Sequence, residues 1–253
     1  MRTKTLLIAA AALAVGVASS MAQTYSQNIV GYVNLPMGVN YTMQMVPFDA
    51  DGGNALTNLI QNPGGINDGS QVFIWNSTGT GYDTYTLDSG MYTGVGDATD
   101  SSPVVGPNMP AGTPFLFNNA GPVHTNTYVG TVHMGNGSVP GTSTNVIPNL
   151  ALNLLAPIIP FSGGVTSALQ FTNILAGVPG ALDGQQINIP IISSGGALTG
   201  FNTYTFDSGL LPSGFGDATD SFEVPEPQIP LGTIFFFSNG TGGQVPWIQT
   251  LNP

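Results

Sequence analysis

One unit occurs twice along this chain, and that repetition constrains the fold more than any single motif does. Tyr82-Asp-Thr-Tyr-Thr-Leu-Asp-Ser-Gly90 returns as Phe201-Asn-Thr-Tyr-Thr-Phe-Asp-Ser-Gly209, and Gly96-Asp-Ala-Thr-Asp-Ser101 returns unchanged as Gly216-Asp-Ala-Thr-Asp-Ser221. Pro110-Ala-Gly-Thr-Pro-Phe-Leu-Phe-Asn118 matches Pro230-Leu-Gly-Thr-Ile-Phe-Phe-Phe-Ser238. Upstream, Val46-Pro47-Phe48 matches Ile159-Pro160-Phe161, Thr57 to Ile60 matches Thr172 to Leu175, and Asp68-Gly69 matches Asp183-Gly184. Six blocks in the same order, at offsets that drift only from 113 to 120, define two copies of a unit of ordinary domain size. The expected organisation is a first unit over 23–133, a linker over 134–144 rich in Gly, Ser and Thr, and a second unit over 145–253.

Each unit reads as mostly strand. Tyr85 and Leu87 alternate with Thr84 and Thr86, and the second copy keeps the parity with Tyr204 and Phe206 against Thr203 and Thr205. A period of two places one set on a core and the other on the opposite face. Phe115 and Phe117, with Phe235 and Phe237, mark another strand in each copy. Leucines at helical spacing predict one short helix per unit, over Ala55–Gln61 and Ser167–Ala176, each closed by Gly or Pro. The expected fold is therefore all-β: two tandem β-sandwich-like repeat units, each with one short helix.

The first 22 residues read as a secretory signal peptide. Met1 to Thr5 is basic, Leu6 to Val17 is apolar, and Ser20 and Ala22 supply small residues before a cleavage point. The apolar run is too short for a membrane-spanning helix, and no later stretch is long and apolar enough for one. The expected location is thus secreted or cell-surface. Arg2 and Lys4 are the only cations, so cleavage removes both and takes the formal charge from −11 to −13. It leaves a chain of 253 less 22, or 231, residues.

A chain without Lys or Arg is a poor partner for phosphate. Nucleic-acid binding and phosphoryl chemistry both rely on cationic clamps, so neither is expected. The absence of Cys removes disulfides and thiol chemistry. His124 and His133 have no counterparts in the second copy, and no nucleophile-elbow pattern accompanies them. The only glutamates, Glu223 and Glu226, flank a Pro-rich loop; as a glycosidase pair they would have to face each other across a cleft. Asp88, Asp97 and Asp100 recur as Asp207, Asp217 and Asp220, which makes them candidate calcium ligands, since hard cations take carboxylate oxygens from such loops. The competing explanation is that Asp-Ser-Gly and Gly-Asp-Ala-Thr-Asp are turn formers that bond their own backbone. Asp49-Ala-Asp51-Gly-Gly-Asn54 begins like a calcium loop without completing one. Asn40, Asn76, Asn136 and Asn239 lie in Asn-x-Ser/Thr sequons, and Trp75 and Trp247 could stack on sugar rings or fill a core.

Three segments carry a resemblance: Asn28-Ile-Val-Gly-Tyr-Val-Asn34, the Asp-Gly-x-Gln-Val-Phe-x-Trp-Asn block from Asp68 to Asn76, and the Pro-x-Gly-Thr-x-Phe-x-Phe-Asn block. Together they resemble a group of uncharacterised exported two-repeat β proteins of environmental bacteria. The group tends to have Gly-Glu-Gly-Phe where this chain has Gly112-Thr-Pro-Phe115. The resemblance implies location and architecture, not a reaction.

The functional expectation is a non-enzymatic extracellular or cell-surface structural protein that forms a homo-oligomer or polymer. Its weakly charged, Thr/Asn/Gly-rich faces have few charges to desolvate on packing together. The alternative is a carbohydrate-binding module, with a surface polysaccharide as partner, or a small secreted hydrolase.

Overall fold

The structure, a computed structural model, describes residues 30–251 except 77, 135–140, 173, 176–177, 194–196 and 211. The segment expected to be a signal peptide lies outside the described residues. The first unit contributes β1 (Val30–Met37), β2 (Asn40–Met45), the single-turn helix α1 (Leu56–Leu59), β3 (Gln71–Trp75), β4 (Tyr82–Leu87), β5 (Val95–Gly96), β6 (Pro114–Asn119) and β7 (His124–Thr131). The second contributes β8 (Gly141–Ile147), β9 (Asn153–Leu155), β10 (Gly163–Gly164), β11 (Ile174–Leu175), β12 (Val178–Pro179), β13 (Gln186–Ile192), β14 (Leu198–Phe206), β15 (Phe215–Gly216), β16 (Gln228–Ile229), β17 (Phe235–Phe237) and β18 (Val245–Leu251). The chain is nearly all β, as its alternating pattern predicts.

The two units share one wiring. A five-stranded antiparallel sheet has the order β2-β6-β3-β4-β5 in the first and β9-β17-β13-β14-β15 in the second. A two-stranded ribbon accompanies each, β1 with β7 and β8 with β18. Every strand pairing joins residues on the same side of the 135–140 segment.

Alternation explains how ribbon and sheet meet. On β6, Phe115 and Phe117 are fully buried and point to one face, while Leu116 points to the other. Phe117 pairs with Val72 across to β3, and Val72 with Tyr85 on β4, so one apolar face runs across the sheet. The ribbon closes that face with Val33, Leu35 and Met37 from β1 and Tyr128 from β7. Two ribbon glycines, paired across the strands at Gly31 and Gly130, make room for the closure. A Cβ on Gly31 would lie inside the Phe48 ring, and one on Gly130 would strike the Asp49 carbonyl. That close approach lets Asp49 and Thr131 exchange backbone bonds of 2.9 and 2.8 Å.

The second core repeats the plan with more aromatic volume. Phe235, Phe237, Ile187 and Phe206 form the sheet face, and Trp247 and Val245 come from the ribbon. Phe171 sits at the centre, with its ring 5.0 Å from Phe237, 5.2 Å from Trp247 and 5.7 Å from Phe206. Trp247 donates its indole N–H to the Leu169 carbonyl at 2.8 Å. Gln249, also buried, accepts from the Ile158 and Ile159 amides at 2.7 and 3.2 Å.

Two expectations are corrected. The helix over 167–176 is not formed among the described residues. Glu226 accepts the Thr166 and Ser167 N–H groups, Gln170 takes a positive φ that ends the turn, and Ile174–Leu175 pairs with Val178–Pro179. In the first unit the predicted helix survives as α1, one turn whose Leu56 and Leu59 are buried. The expected linker 134–144 is too long at its far end, since Gly141 to Thr144 are already strand, paired with Thr250, Leu251 and their neighbours.

The sheets meet through their other faces. Met43 and Met45 of β2 pack with Leu154, Ala156 and Ile234 of the second unit, beside Trp75, Tyr82, Leu116 and Phe236. This middle cluster is the smallest of the three, so each unit keeps a core of its own. The units also meet beside their ribbons: the Ser143 hydroxyl donates to the His133 carbonyl at 3.0 Å, and Ile159 of the second unit lies in the first core with Leu251 packed against it.

Candidate functional site

The duplicated acids lie in matching loops and perform matching tasks. Asp88 accepts the Gly90 N–H at 2.7 Å, and Asp207 accepts that of Gly209 at the same distance. Asp97 accepts the N–H groups of Thr99 and Ser101 at 3.0 Å each, with the Thr99 hydroxyl at 2.9 Å. Asp217 does the same for Thr219 and Ser221. The Ser101 amide, then the Thr99 hydroxyl, hold the Asp97 pKa down to about 2. The Ser221 amide and Thr219 hydroxyl lower Asp217 for the same reason.

Asp100 and Asp220 are different. Both adopt left-handed backbone, φ 56° and 58°, which Asp tolerates better than most residues. Neither has a cation nearby. Desolvation raises the Asp100 pKa first, followed by the charges of Asp88, Asp97 and Asp68. Asp220 is raised by desolvation, then by Asp207, Asp183 and Asp217.

Asp68 and Asp183 were visible in the sequence only as part of a matched Asp-Gly pair. The structure makes them the partners that tie each loop down. Asp68 receives the Ser89 N–H at 2.8 Å and its hydroxyl at 2.7 Å, and Asp183 receives Ser208 at the same two distances. Asn119 and Asn239 form a second duplicated pair that sequence reasoning missed. Their side-chain amides donate to the Pro122 carbonyl at 3.0 Å and the Pro148 carbonyl at 2.9 Å, and to the ends of β1 and β8.

The carboxylates sense each other without converging. Among the described residues, no three His, Asp or Glu side chains come together in a way that could hold a metal ion. For Asp88, Asp97, Asp207 and Asp217, turn chemistry accounts for the bonds seen.

Asp49, Glu223 and Glu226 are similarly engaged. Asp49 accepts from Asn54 at 2.8 Å and pairs with His133 Nδ1 at 2.6 Å. Partial burial pushes the Asp49 pKa up, but the bonds from His133, Asn54 and the Ala111 amide outweigh it and leave it below the ordinary range. This Asp–His pair anchors the end of β7 to the 49–54 loop, which begins with the direct Asp49–Asn54 bond and not a ligand cage. His124 Nδ1 bonds the Pro122 carbonyl at 3.0 Å. Glu226 takes the amides and hydroxyls of Thr166 and Ser167, and Glu223 takes the Ser213 amide. Burial raises the Glu226 pKa and the four bonds more than reverse it. A carboxyl held ionised in this way is ill suited to protonate a leaving group.

The two tryptophans have different surroundings. Trp247 is core. Trp75 belongs to a row of partly exposed rings: Tyr41, Phe73, Tyr82, Trp75, Phe236 and Phe201, with consecutive centroids 4.9 to 6.2 Å apart. The row crosses from the first unit to the second where the two sheets face each other. Of the sequons, Asn239 is buried with its amide fully engaged, and Asn136 lies outside the described residues.

The outward residues of the first ribbon are Val30, Tyr32, Asn34 and Pro36 on β1 with Thr125, Thr127 and Val129 on β7. Those of the second are Thr142, Thr144 and Val146 with Pro246, Ile248 and Thr250. No ribbon strand contains an acid. Compared with known protein families, curated proteins and solved structures, the chain matches none. No helix among the described residues is long and apolar enough to cross a membrane.

Proposed function

We propose that this chain is a non-enzymatic structural protein, exported to the cell surface or beyond it, that assembles with copies of itself. The supporting observation is where the charge lies. All thirteen acids fall outside the four ribbon strands, and most of those with described bonds fasten their own loops. The layers offered to a neighbour are uncharged strands rich in Thr, Val and Pro. Polar but uncharged strands can be packed at little desolvation cost, whereas buried charge would need a Lys or Arg partner that residues 5–253 do not supply. Export follows from the basic-apolar-small pattern of residues 1–22, and its check is the mass of the natural protein, which should lack those residues.

The aromatic row favours a second reading, a carbohydrate-binding module. Partly exposed rings in line are what pyranose faces stack on. Electron microscopy of the purified protein, with retention on insoluble polysaccharide measured in parallel, separates the two. Assemblies that lengthen with concentration, and no retention, are expected. Single particles at every concentration, together with retention, would establish the second reading in place of the first.

A further inference from the structure

We infer that the cleft between the two units beside Trp75 is a binding site for a single neutral sugar ring. Neither self-assembly nor stacking along the aromatic row is needed for it. A cleft for one ring reaches only the end of a polysaccharide chain, so it does not require retention on insoluble polysaccharide.

The cleft has a volume of about 350 Å³, near the lower end of the range for small-ligand sites. One side belongs to the first unit: Trp75 at the end of β3, and the turn from Pro110 to Pro114 that leads into β6. The other belongs to the second: Asn145 of β8, Leu154 of β9 and Ile158. The two sides come close because Gly112, at φ 82°, has no side chain; a Cβ there would lie 2.8 Å from Ile158 Cγ1.

The lining decides the class of ligand. None of the described residues around the cleft is ionisable, although the chain has thirteen acids. An anion finds no cation there and a cation finds no carboxylate, so the ligand is neutral. Most of the wall is apolar, and polar groups interrupt it at few points. Asn145 faces inward on β8, half-buried, and its side chain bonds no described residue. The Asn76 side chain accepts from Thr78 and Thr80, and its amide N–H groups donate to no described residue. A hydrocarbon would strip water from the Asn145 amide and leave it unpaired, at a cost. A pyranose lays its C–H face on Trp75 and returns hydroxyls to the amides. The Trp75 indole N–H has no partner among the described residues, and it gains one if the ring tilts onto such a hydroxyl.

The other half of the molecule supplies a comparison. Pro230 to Thr233 repeat Pro110 to Thr113, and Met43 takes the place of Leu154, each paired with the repeated Leu116 or Phe236. That cleft is smaller, about 230 Å³. Leu231 stands there for Ala111. Leu35 stands for Asn145, counting back from Met37 and Ile147, whose carbonyls accept from the matching Asn119 and Asn239. Leu35 is buried and lies against Gly232. One plan is thus closed by leucines in one half and left open, with an amide in its wall, in the other.

The probes are methyl β-glucopyranoside, methyl β-galactopyranoside and N-acetylglucosamine, with glucuronate as the charged control and cyclohexanol as the hydroxyl-poor one. The readout is the two indole N–H resonances of the nitrogen-15-labelled protein, since the chain has two tryptophans and Trp247 is core. At least one neutral sugar should shift the Trp75 signal saturably and leave that of Trp247 in place. Asn145→Leu should weaken binding about tenfold, the loss of roughly one hydrogen bond. Ala111→Leu should abolish it by filling the space, and either variant suffices if the other fails to fold. No Trp75 shift with any of the three sugars would overturn the inference and leave the self-assembly reading standing. A shift that both variants leave unchanged would also overturn it, moving the sugar onto the aromatic row and favouring the carbohydrate-binding module. Equal binding of cyclohexanol or of glucuronate would overturn it too, the first marking an apolar hole and the second a site blind to charge.

Discussion

Asp97 and Asp100 sit three residues apart in one loop, and the loop drives their carboxyls in opposite directions. Amide and hydroxyl donors stabilise the charged form of Asp97. Desolvation and three neighbouring acids penalise that of Asp100. The linkage follows from those signs. Asp97 and Asp217, lowered on folding, contribute stability that is present above the ordinary Asp value near 3.9 and is lost as pH falls below it, toward about 2 for Asp97. Asp100 and Asp220, raised on folding, impose a cost that is full at neutral pH and disappears as pH falls below about 3.9. Carbon-13 titration should therefore place the Asp97 and Asp217 carboxyls below the ordinary Asp midpoint and those of Asp100 and Asp220 above it. A common midpoint for all four would refute the account of the loops. The sequence made the repeated acids visible, and Asp-x-Thr-x-Ser turns explain why Asp97 and Asp217 recur. It hid the roles of Asp68 and Asp183, because their Ser89 and Ser208 partners are 21 and 25 residues away.

Strands were easier to read than helices. A period of two survives folding because it needs only a face, and the pairs Phe115/Phe117 and Phe235/Phe237 lie on the core faces that their spacing predicts. The helix over 167–176 failed for a reason outside its own residues: Glu226, about 60 positions away, takes its leading amides, and Gln170 leaves the right-handed region. The linker was overextended because Gly-Thr-Ser-Thr is both a flexible sequence and an acceptable uncharged strand, and only its partner β18 decides between them. Phe171 lies in this irregular stretch and yet centres the second core. Phe171→Ala should cost about 3–5 kcal/mol in urea unfolding, the usual range for deleting a buried aromatic ring. Tyr92→Ala, at 89% exposure, should stay within about 0.5 kcal/mol. A Phe171→Ala loss below about 1 kcal/mol would mean that the second core does not pack around this ring.

At the scale of the molecule, duplication and the lack of cations act together. Two units with the same wiring join through the cluster around Met43 and Leu154 and through Ile159 of the second unit, which lies in the first core. With no Lys or Arg after residue 4, stability rests on apolar packing and backbone ladders. The one ion pair among the described residues, Asp49–His133, is partly exposed, and such pairs add little. Apart from Asp83 on β4, the acids of the described residues lie outside the strands, and the ribbon strands carry none. The tandem architecture could be read from the six matched blocks. Which faces point outward could not, because that depends on how the two sheets meet through Met43, Met45, Leu154 and Ile234.

The central claim is that copies join through uncharged faces against a like-charged background. Salt acts on that background alone. At about 0.5 M salt the Debye length falls to a few ångströms, whereas at about 0.01 M it is about 30 Å. Sedimentation velocity over a concentration series at both strengths is the most direct measurement. Association should strengthen in high salt, with larger species appearing at lower protein concentration. Assemblies that dissolve as salt rises, or a single monomeric species at both strengths, would contradict it.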